Sequence, residues 1–111
     1  MAVHYGVVWS CSEDKNITAH KLDGFTRVRF YTLDSPVGQI AVHPKRPLLF
    51  AGCDNGLLYV LETTTAERRI VTILEGHTGF ICDVRLSSDE SYVATSSDDR
   101  TVIVRLSLIH I

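Results

Sequence analysis

Short runs in which apolar and polar positions alternate organise this chain. Such runs, rich in β-branched and aromatic residues, occur at 27–33, 38–42, 68–74 and 81–86. They are separated by segments that contain Gly, Pro, Asp or Ser, such as "LDSPVG", "HPKRP" and "SSDES". Alternation with a period of two is typical of strands, and these separating residues favour turns. Because no stretch has a convincing helical period, the pattern predicts an all-β chain of about ten short strands.

Three windows repeat one arrangement of strand, tight turn and strand. They are "VWSCSEDKNITAHK" (8–21), "FAGCDNGLLYVLE" (50–62) and "VATSSDDRTVIVRL" (93–106). The turn residues Asp14, Asn55 and Asp99 occupy the same place in each window, and they are spaced by 41 and then 44 residues. Asp and Asn suit this place because their short side chains hydrogen bond to nearby backbone groups. A period of ~40 to 45 residues is typical of a four-stranded propeller blade.

The residues of these windows resemble those of the WD-repeat β-propellers. The match is clearest in "GHTGFICDVRLSSDESYVATSSDDRTVIVRL", which has a Gly-His pair, small residues in a strand and an Asp in a tight turn. "AVHPKRPLLFAGCDNGLLYVLE" and "VVWSCSEDKNITAHK" resemble the same repeat. The chain departs from the family at the Trp-Asp pair, where it has His20-Lys21, Leu61-Glu62 and Arg105-Leu106. The resemblance implies an all-β fold, a partial β-propeller made of four-stranded antiparallel blades.

The resemblance also implies how the chain divides into repeats. We expect a partial repeat at 1–33, because nothing before Tyr5 supplies a first strand, and a whole repeat at 34–74. Residues 75–106 then form a repeat that lacks its last strand, followed by a non-native or irregular tail at 107–111. Propellers close with roughly four to eight blades, so we expect this chain to be a fragment of about two and a half repeats. Its partners would include the remaining blades of the same propeller.

In the family, each repeat holds a buried hydrogen-bonded set. The set joins the histidine of Gly-His, a Ser or Thr of the second strand, the turn Asp and the Trp of the third strand. The resemblance therefore implies a structural network of His77, Thr95 and Asp99 in the third repeat. Arg105 stands where the Trp would be. Such groups pair because an unpaired buried imidazole or carboxylate costs on the order of several kcal/mol.

The other two repeats carry this set in part or not at all. The first repeat offers Ser10 and Asp14, together with His20 at the third-strand position. In the second repeat the four places are taken by Leu33, Ala51, Asn55 and Leu61. We expect this repeat to have exchanged the polar set for packing, which is often neutral in energy when all partners are replaced together.

Catalytic and metal-binding roles for these side chains are disfavoured. A nucleophilic triad at His77 and Asp99 would need an exposed nucleophile, and the chain has no Gly-x-Ser-x-Gly or similar elbow. A metal site at His43, Cys53 and Cys82 would need ligands from separate blades without a local spacing motif. The acidic turns do not continue the pattern of a calcium loop. We therefore expect no enzyme activity, no catalytic residue, no metal and no cofactor.

Composition narrows the range of partners and compartments. The 111 residues carry a formal net charge of −2, which gives no electrostatic case for binding nucleic acid or membrane. No apolar run reaches the roughly 18 residues of a membrane span. The three cysteines are far apart and odd in number, so they indicate reduced thiols and not a disulfide framework. We expect a soluble cytoplasmic protein, with a nuclear location as the alternative.

The resemblance finally implies one partner-binding surface, around the central channel of the propeller. In the family this surface is lined by the residue before the turn Asp and by residues just after Gly-His. Here these positions are Glu13, Asp34, Asp54, Thr78, Phe80 and Asp98, which we call the acidic–aromatic face. An aromatic side chain among carboxylates suits a basic segment of a partner. The alternative, that these acids only keep a turn-rich face soluble, explains them equally well.

The expected function follows from this surface and from the family. The resemblance implies a non-catalytic scaffold for protein–protein interaction, which docks partner proteins or peptides. The alternatives are a substrate-recognition propeller of a ubiquitin ligase or chromatin complex, and a non-catalytic domain of a larger enzyme. Fold resemblance does not decide between them, because function depends on sites carried by the fold.

Overall fold

The computed structural model describes residues 2–4, 7–21, 27–43, 46–63, 70–88 and 91–106. Within these residues the chain forms three antiparallel sheets and no helix. The first sheet contains, in order, β1 (Ala2–His4), β2 (Val7–Cys11), β3 (Asn16–Lys21) and β4 (Arg27–Thr32). The second contains β5 (Val37–Val42), β6 (Leu48–Cys53), β7 (Leu58–Glu62) and β8 (Ile70–Leu74). The third contains β9 (Ile81–Leu86), β10 (Tyr92–Ser97) and β11 (Val102–Leu106). The all-β prediction is confirmed.

One sequence expectation about the first sheet is wrong. A strand does precede Tyr5, because β1 pairs antiparallel with β2, from Ala2 opposite Trp9 to His4 opposite Val7. The first sheet therefore has four strands. Three residues are too few to show an alternating pattern, so no pattern indicated this strand. The expected tail at 107–111 lies outside the described residues.

The three sheets lie side by side with their first strands together. Strand β5 contacts β1 on one side and β9 on the other, and β2 and β6 make the adjoining contacts. From this inner edge each sheet continues outward strand by strand in chain order. This arrangement is that of neighbouring propeller blades, which pack face to face around a common axis.

The second sheet is buried on both faces, as its position between two blades requires. In β6 every residue is buried, and alternate side chains enter different cores. Leu49, Ala51 and Cys53 pack with the first sheet, while Leu48 and Phe50 pack with the third. The core beside the first sheet also holds Trp9, whose ring stacks on that of Tyr31 with centroids 6.0 Å apart. The core beside the third sheet also holds Ile81, Val84 and Val93.

The repeated turns predicted from Asp14, Asn55 and Asp99 have the same geometry. The residue after each has a positive φ, of 74° at Lys15, 82° at Gly56 and 70° at Arg100. In each turn the side-chain oxygen of the Asp or Asn accepts the backbone N–H two residues later, at 2.9 to 3.1 Å. This bond satisfies a backbone donor in the turn. It explains why the short side chain recurs at this place in all three repeats.

Candidate functional site

The two kinds of position expected on the acidic–aromatic face lie next to one another. In the second repeat the N–H of Asp54 donates to the carbonyl of Pro36 at 2.9 Å. In the third repeat the N–H of Asp98 donates to the carbonyl of Phe80 at 3.0 Å. The same backbone bond thus joins the residue before the turn Asp or Asn to the loop that enters the blade. It brings the acidic turns and the loop residues to one end of the sheets.

Part of this face forms a surface depression of about 420 Å³. Glu13 from the first sheet, Asp54 from the second and Phe80 before the third all line it, so three sheets contribute. The remaining lining residues are Gly38, Ile81 and Cys82. Asp34, Thr78 and Asp98 are exposed on the same loops and turns but do not line the depression.

Phe80 is held in place by its backbone while its ring faces solvent. Its side chain is 45% exposed. Its carbonyl accepts the N–H of Asp98 and also the hydroxyl of Ser97, at 2.8 Å. A large apolar ring on a fixed backbone loses little conformational entropy when a partner covers it. This is the chemistry of a contact anchor.

Cys82 offers a site for chemical labelling in the depression, because it is exposed while Cys53 is buried and Cys11 is half-buried. Burial raises the pKa of the Cys53 thiol to about 12, with the Asp54 charge adding to the effect, and burial raises the pKa of Cys11. Thiolates are the reactive form. We expect iodoacetamide to modify Cys82 about tenfold or more faster than either other thiol. Timed peptide mass spectrometry measures the three rates, and equal rates would contradict the described burial.

The structure brings His77, Thr95 and Asp99 into direct contact. Nδ1 of His77 lies 3.1 Å from the nearer carboxylate oxygen of Asp99, and Nε2 lies 2.8 Å from the hydroxyl of Thr95. A carboxylate only accepts, so Nδ1 carries the proton and Nε2 accepts from Thr95. The His77 and Asp99 side chains are 2% and 9% exposed. This arrangement links the loop before β9 to β10 and to the turn after it.

Thr101 belongs to the same network, although it is not one of the four positions of the family's set. Its hydroxyl donates to the Asp99 carboxylate and lies 3.0 Å from Nδ1 of His77. The pKa of Asp99 is held well below its usual range by the hydrogen bond from the Thr101 hydroxyl. The N–H groups of Thr78 and Thr101 and the His77 ring add to this effect. The sequence signal for it is the Asp-x-Thr spacing, which places a hydroxyl over the turn carboxylate.

Arg105, at the place where the family has Trp, contacts the loop that carries His77. Its Nη2 donates to the backbone carbonyl of Glu75 in the loop between β8 and β9. The long side chain therefore ties the third strand of the sheet to the loop that carries His77. This polar contact thus replaces the packing that an indole ring would provide.

The other two repeats differ from the third at these positions. Ser10 donates to the carbonyl of Thr18 at 3.5 Å, and Asp14 accepts from the N–H of Asn16, so the two hydrogen bond to separate partners. In the second repeat Leu33, Ala51 and Leu61 are buried in one core, while Asn55 is exposed. The second repeat thus has apolar packing where the third has polar pairs.

The described residues contain no cluster of three or more His, Cys, Asp or Glu side chains arranged to hold a metal ion. In particular, they do not bring His43, Cys53 and Cys82 together as ligands. Nδ1 of His43 accepts the backbone N–H of Arg46 at 3.0 Å. In the same part of the chain, no helix has the length and hydrophobicity needed to cross a bilayer.

Comparison with known proteins identifies the repeat. Residues 68–104 match the family described as WD domain, G-beta repeat. This part of the chain is a WD repeat. The match covers β8, β9, β10 and the first part of β11, and it includes His77, Thr95 and Asp99.

Curated proteins are similar to a longer part of the chain. The chain is 27% identical over 88 residues to serine-threonine kinase receptor-associated protein of Gallus gallus, covering 79% of this chain and 25% of that protein. It is 24% identical over 98 residues to WD repeat and FYVE domain-containing protein 2 of Caenorhabditis briggsae, covering 88% and 23%. The chain thus spans about a quarter of the length of these relatives.

The likeness in three dimensions extends over nearly the whole chain. A chain in the crystal structure of the mitotic checkpoint complex superimposes with a TM-score of 0.83 and 16% sequence identity. The superposition covers 92% of this chain and 31% of that one. At this identity the comparison concerns the fold, and it confirms that the three antiparallel sheets are arranged as blades of a β-propeller.

Proposed function

We propose that this chain is a non-catalytic scaffold that docks a basic segment of a partner protein on the acidic–aromatic face. A WD-repeat propeller is in general a platform for protein–protein interaction. The observation that carries the finer proposal is the depression that Glu13, Asp54 and Phe80 line together. Carboxylates beside an exposed aromatic ring suit a Lys or Arg side chain, which contacts the acids with its charge and the ring with its stem.

The comparisons support protein partners in a coarser way. One relative is named as associated with a serine-threonine kinase receptor, and the similar fold occurs in a chain of the mitotic checkpoint complex. Both names describe proteins that assemble with other proteins. The choice of a basic segment comes from the charges of the face alone.

Phe80→Ala and Asp98→Asn are expected to affect binding in different ways. The probe is a fluorescent peptide with alternating Arg, Ala and Lys residues. Loss of the Phe80 ring should weaken binding by about 1 to 3 kcal/mol, mainly through faster dissociation. Loss of the Asp98 charge, beside the depression, should slow association and reduce its dependence on salt. Stopped-flow kinetics at low and high salt separate the two effects.

Two controls make this test specific. Glu62→Gln removes an acid at the opposite end of the second sheet and should leave the kinetics unchanged. A peptide with Glu in place of Arg and Lys should not bind. If both face variants bind the basic peptide as the parent does, the acids serve solubility and the docking surface lies elsewhere.

A further inference from the structure

A second concave surface lies at the other end of the second sheet. It is a mainly apolar groove of about 350 Å³, lined by Arg46, Pro47, Leu48, Glu62 and Val71; we call it the Arg46 groove. Strand β6 begins at Leu48 in this groove and ends at Cys53, next to Asp54 of the acidic–aromatic face. A strand of this length spans roughly 17 Å. The two surfaces are therefore separate.

The floor of the Arg46 groove is part of the core between the second and third sheets. Leu48 is 3% exposed and packs in that core, and the half-buried Val71 packs against it. The space beside these aliphatic side chains is large enough for a leucine or isoleucine side chain. An aliphatic residue placed there would extend the core and remove apolar surface from water.

Backbone hydrogen bonds hold the walls of the groove. The N–H of Leu48 donates to the carbonyl of Arg46 at 2.8 Å, and the N–H of Thr63 donates to the carbonyl of Pro47 at 2.9 Å. The N–H of Arg46 donates to the buried His43 ring at 3.0 Å. These bonds connect the turn before β6 to the end of β7. The groove is thus preformed, which lowers the entropic cost of binding.

The charge at the rim indicates which segment fits. The Arg46 side chain is exposed, and among the described residues no carboxylate forms an ion pair with it. A guanidinium at the edge of an apolar surface pairs with a carboxylate through two parallel hydrogen bonds. At the acidic–aromatic face, by contrast, Glu13 of the first sheet and Asp54 of the second favour a cation. Glu62 also lines the groove but has an interaction of its own, so Arg46 is the charge available to a partner.

We propose that the Arg46 groove binds an extended segment of a partner protein in which a leucine or isoleucine stands next to a carboxylate. The aliphatic side chain lies against Leu48 and Val71, and the carboxylate pairs with Arg46. This site is independent of the acidic–aromatic face. With both surfaces occupied, the second sheet holds an acidic and a basic segment at once.

The test uses the ¹⁵N-labelled chain and the peptide acetyl-Gly-Asp-Leu-Asp-Gly-amide. We expect saturable shifts of the backbone amides of Arg46, Leu48, Thr63 and Val71, and none at Asp54 or Phe80. Arg46→Gln should raise the dissociation constant about three- to tenfold, an effect in the range of rim charge pairs. The matched control Lys21→Gln, at an exposed end of β3, should leave it unchanged.

One changed peptide and one protein variant separate this proposal from the function proposed above. A peptide with Ser in place of Leu should lose the shifts, and Phe80→Ala should leave the affinity for the Leu peptide unchanged. If the Ser peptide binds equally, if Arg46→Gln has no effect, or if the shifts lie on another surface, the proposal is wrong. A failure here would leave the binding of basic peptides to the acidic–aromatic face unaffected.

Discussion

Gly52→Ala is expected to destabilise the packing between the second and third sheets by about 1 to 3 kcal/mol, the usual cost of overpacking a filled core. A Cβ at Gly52 would lie 2.5 Å from Cγ2 of Ile81 and 2.7 Å from Cγ2 of Val84. Both neighbours are β-branched and buried, so neither side chain moves aside easily. Urea unfolding followed by circular dichroism measures the loss as a lower midpoint with an unchanged slope.

A compensating substitution tests the cause of this loss. Ile81→Ala removes the methyl group that a Cβ at Gly52 would meet first, at the cost of a cavity. The double variant should lose less stability than the sum of the losses of the two single variants, because each change relieves the other. An additive result, or a Gly52→Ala protein as stable as the parent, would show that the two sheets do not approach as closely as described.

The buried network of the third repeat is expected to tolerate complete replacement better than partial replacement. Thr95→Ala leaves Nε2 of His77 without its donor, which should cost about 1 to 3 kcal/mol. The second repeat has Leu33, Ala51, Asn55 and Leu61 at the four matching places. Transferring all four residue types to His77, Thr95, Asp99 and Arg105 should cost less than the sum of the single changes, because His77, Thr95 and Asp99 then no longer leave one another unpaired.

The pH dependence of stability gives a second measurement of this network. The pKa of Asp99 is lowered in the folded chain, chiefly by the Thr101 hydroxyl. Its carboxylate therefore contributes stability that is complete above the unfolded Asp pKa of about 3.9 and is lost as the pH falls towards the lower folded value. Asp99→Asn should remove this part of the acid sensitivity. Identical acid-unfolding curves for the parent and Asp99→Asn would contradict the assignment.

The turns were the most predictable feature of the fold because their chemistry is local. Asp14, Asn55 and Asp99 each bond a backbone N–H two residues away, so residue type and spacing were enough to place them. Strand β1 was missed because three residues hold too little pattern. Gly52 gave no sequence signal of its importance, since the close approach of Ile81 depends on how two distant strands pack.

The candidate site was predictable only in part, for a similar reason. The family resemblance located Glu13, Asp54 and Phe80, which line one depression. It did not locate Gly38 or Cys82, which belong to no motif and reach the site through the packing of β5 against β9. Thr101 was missed because it is not one of the four positions of the family's set, although its spacing from Asp99 is a local signal. Contacts between blades thus require the structure, while contacts within a turn do not.

Protection of Cys82 tests binding at the acidic–aromatic face most directly. Cys82 lines the same depression as Glu13, Asp54 and Phe80, so a bound segment should shield its thiol. The measurement is the rate of iodoacetamide modification of Cys82 with increasing concentration of the Arg–Lys peptide. We predict that the rate falls in parallel with peptide binding, and that this protection weakens in Phe80→Ala. A peptide that binds while Cys82 reacts at its original rate would contradict the account.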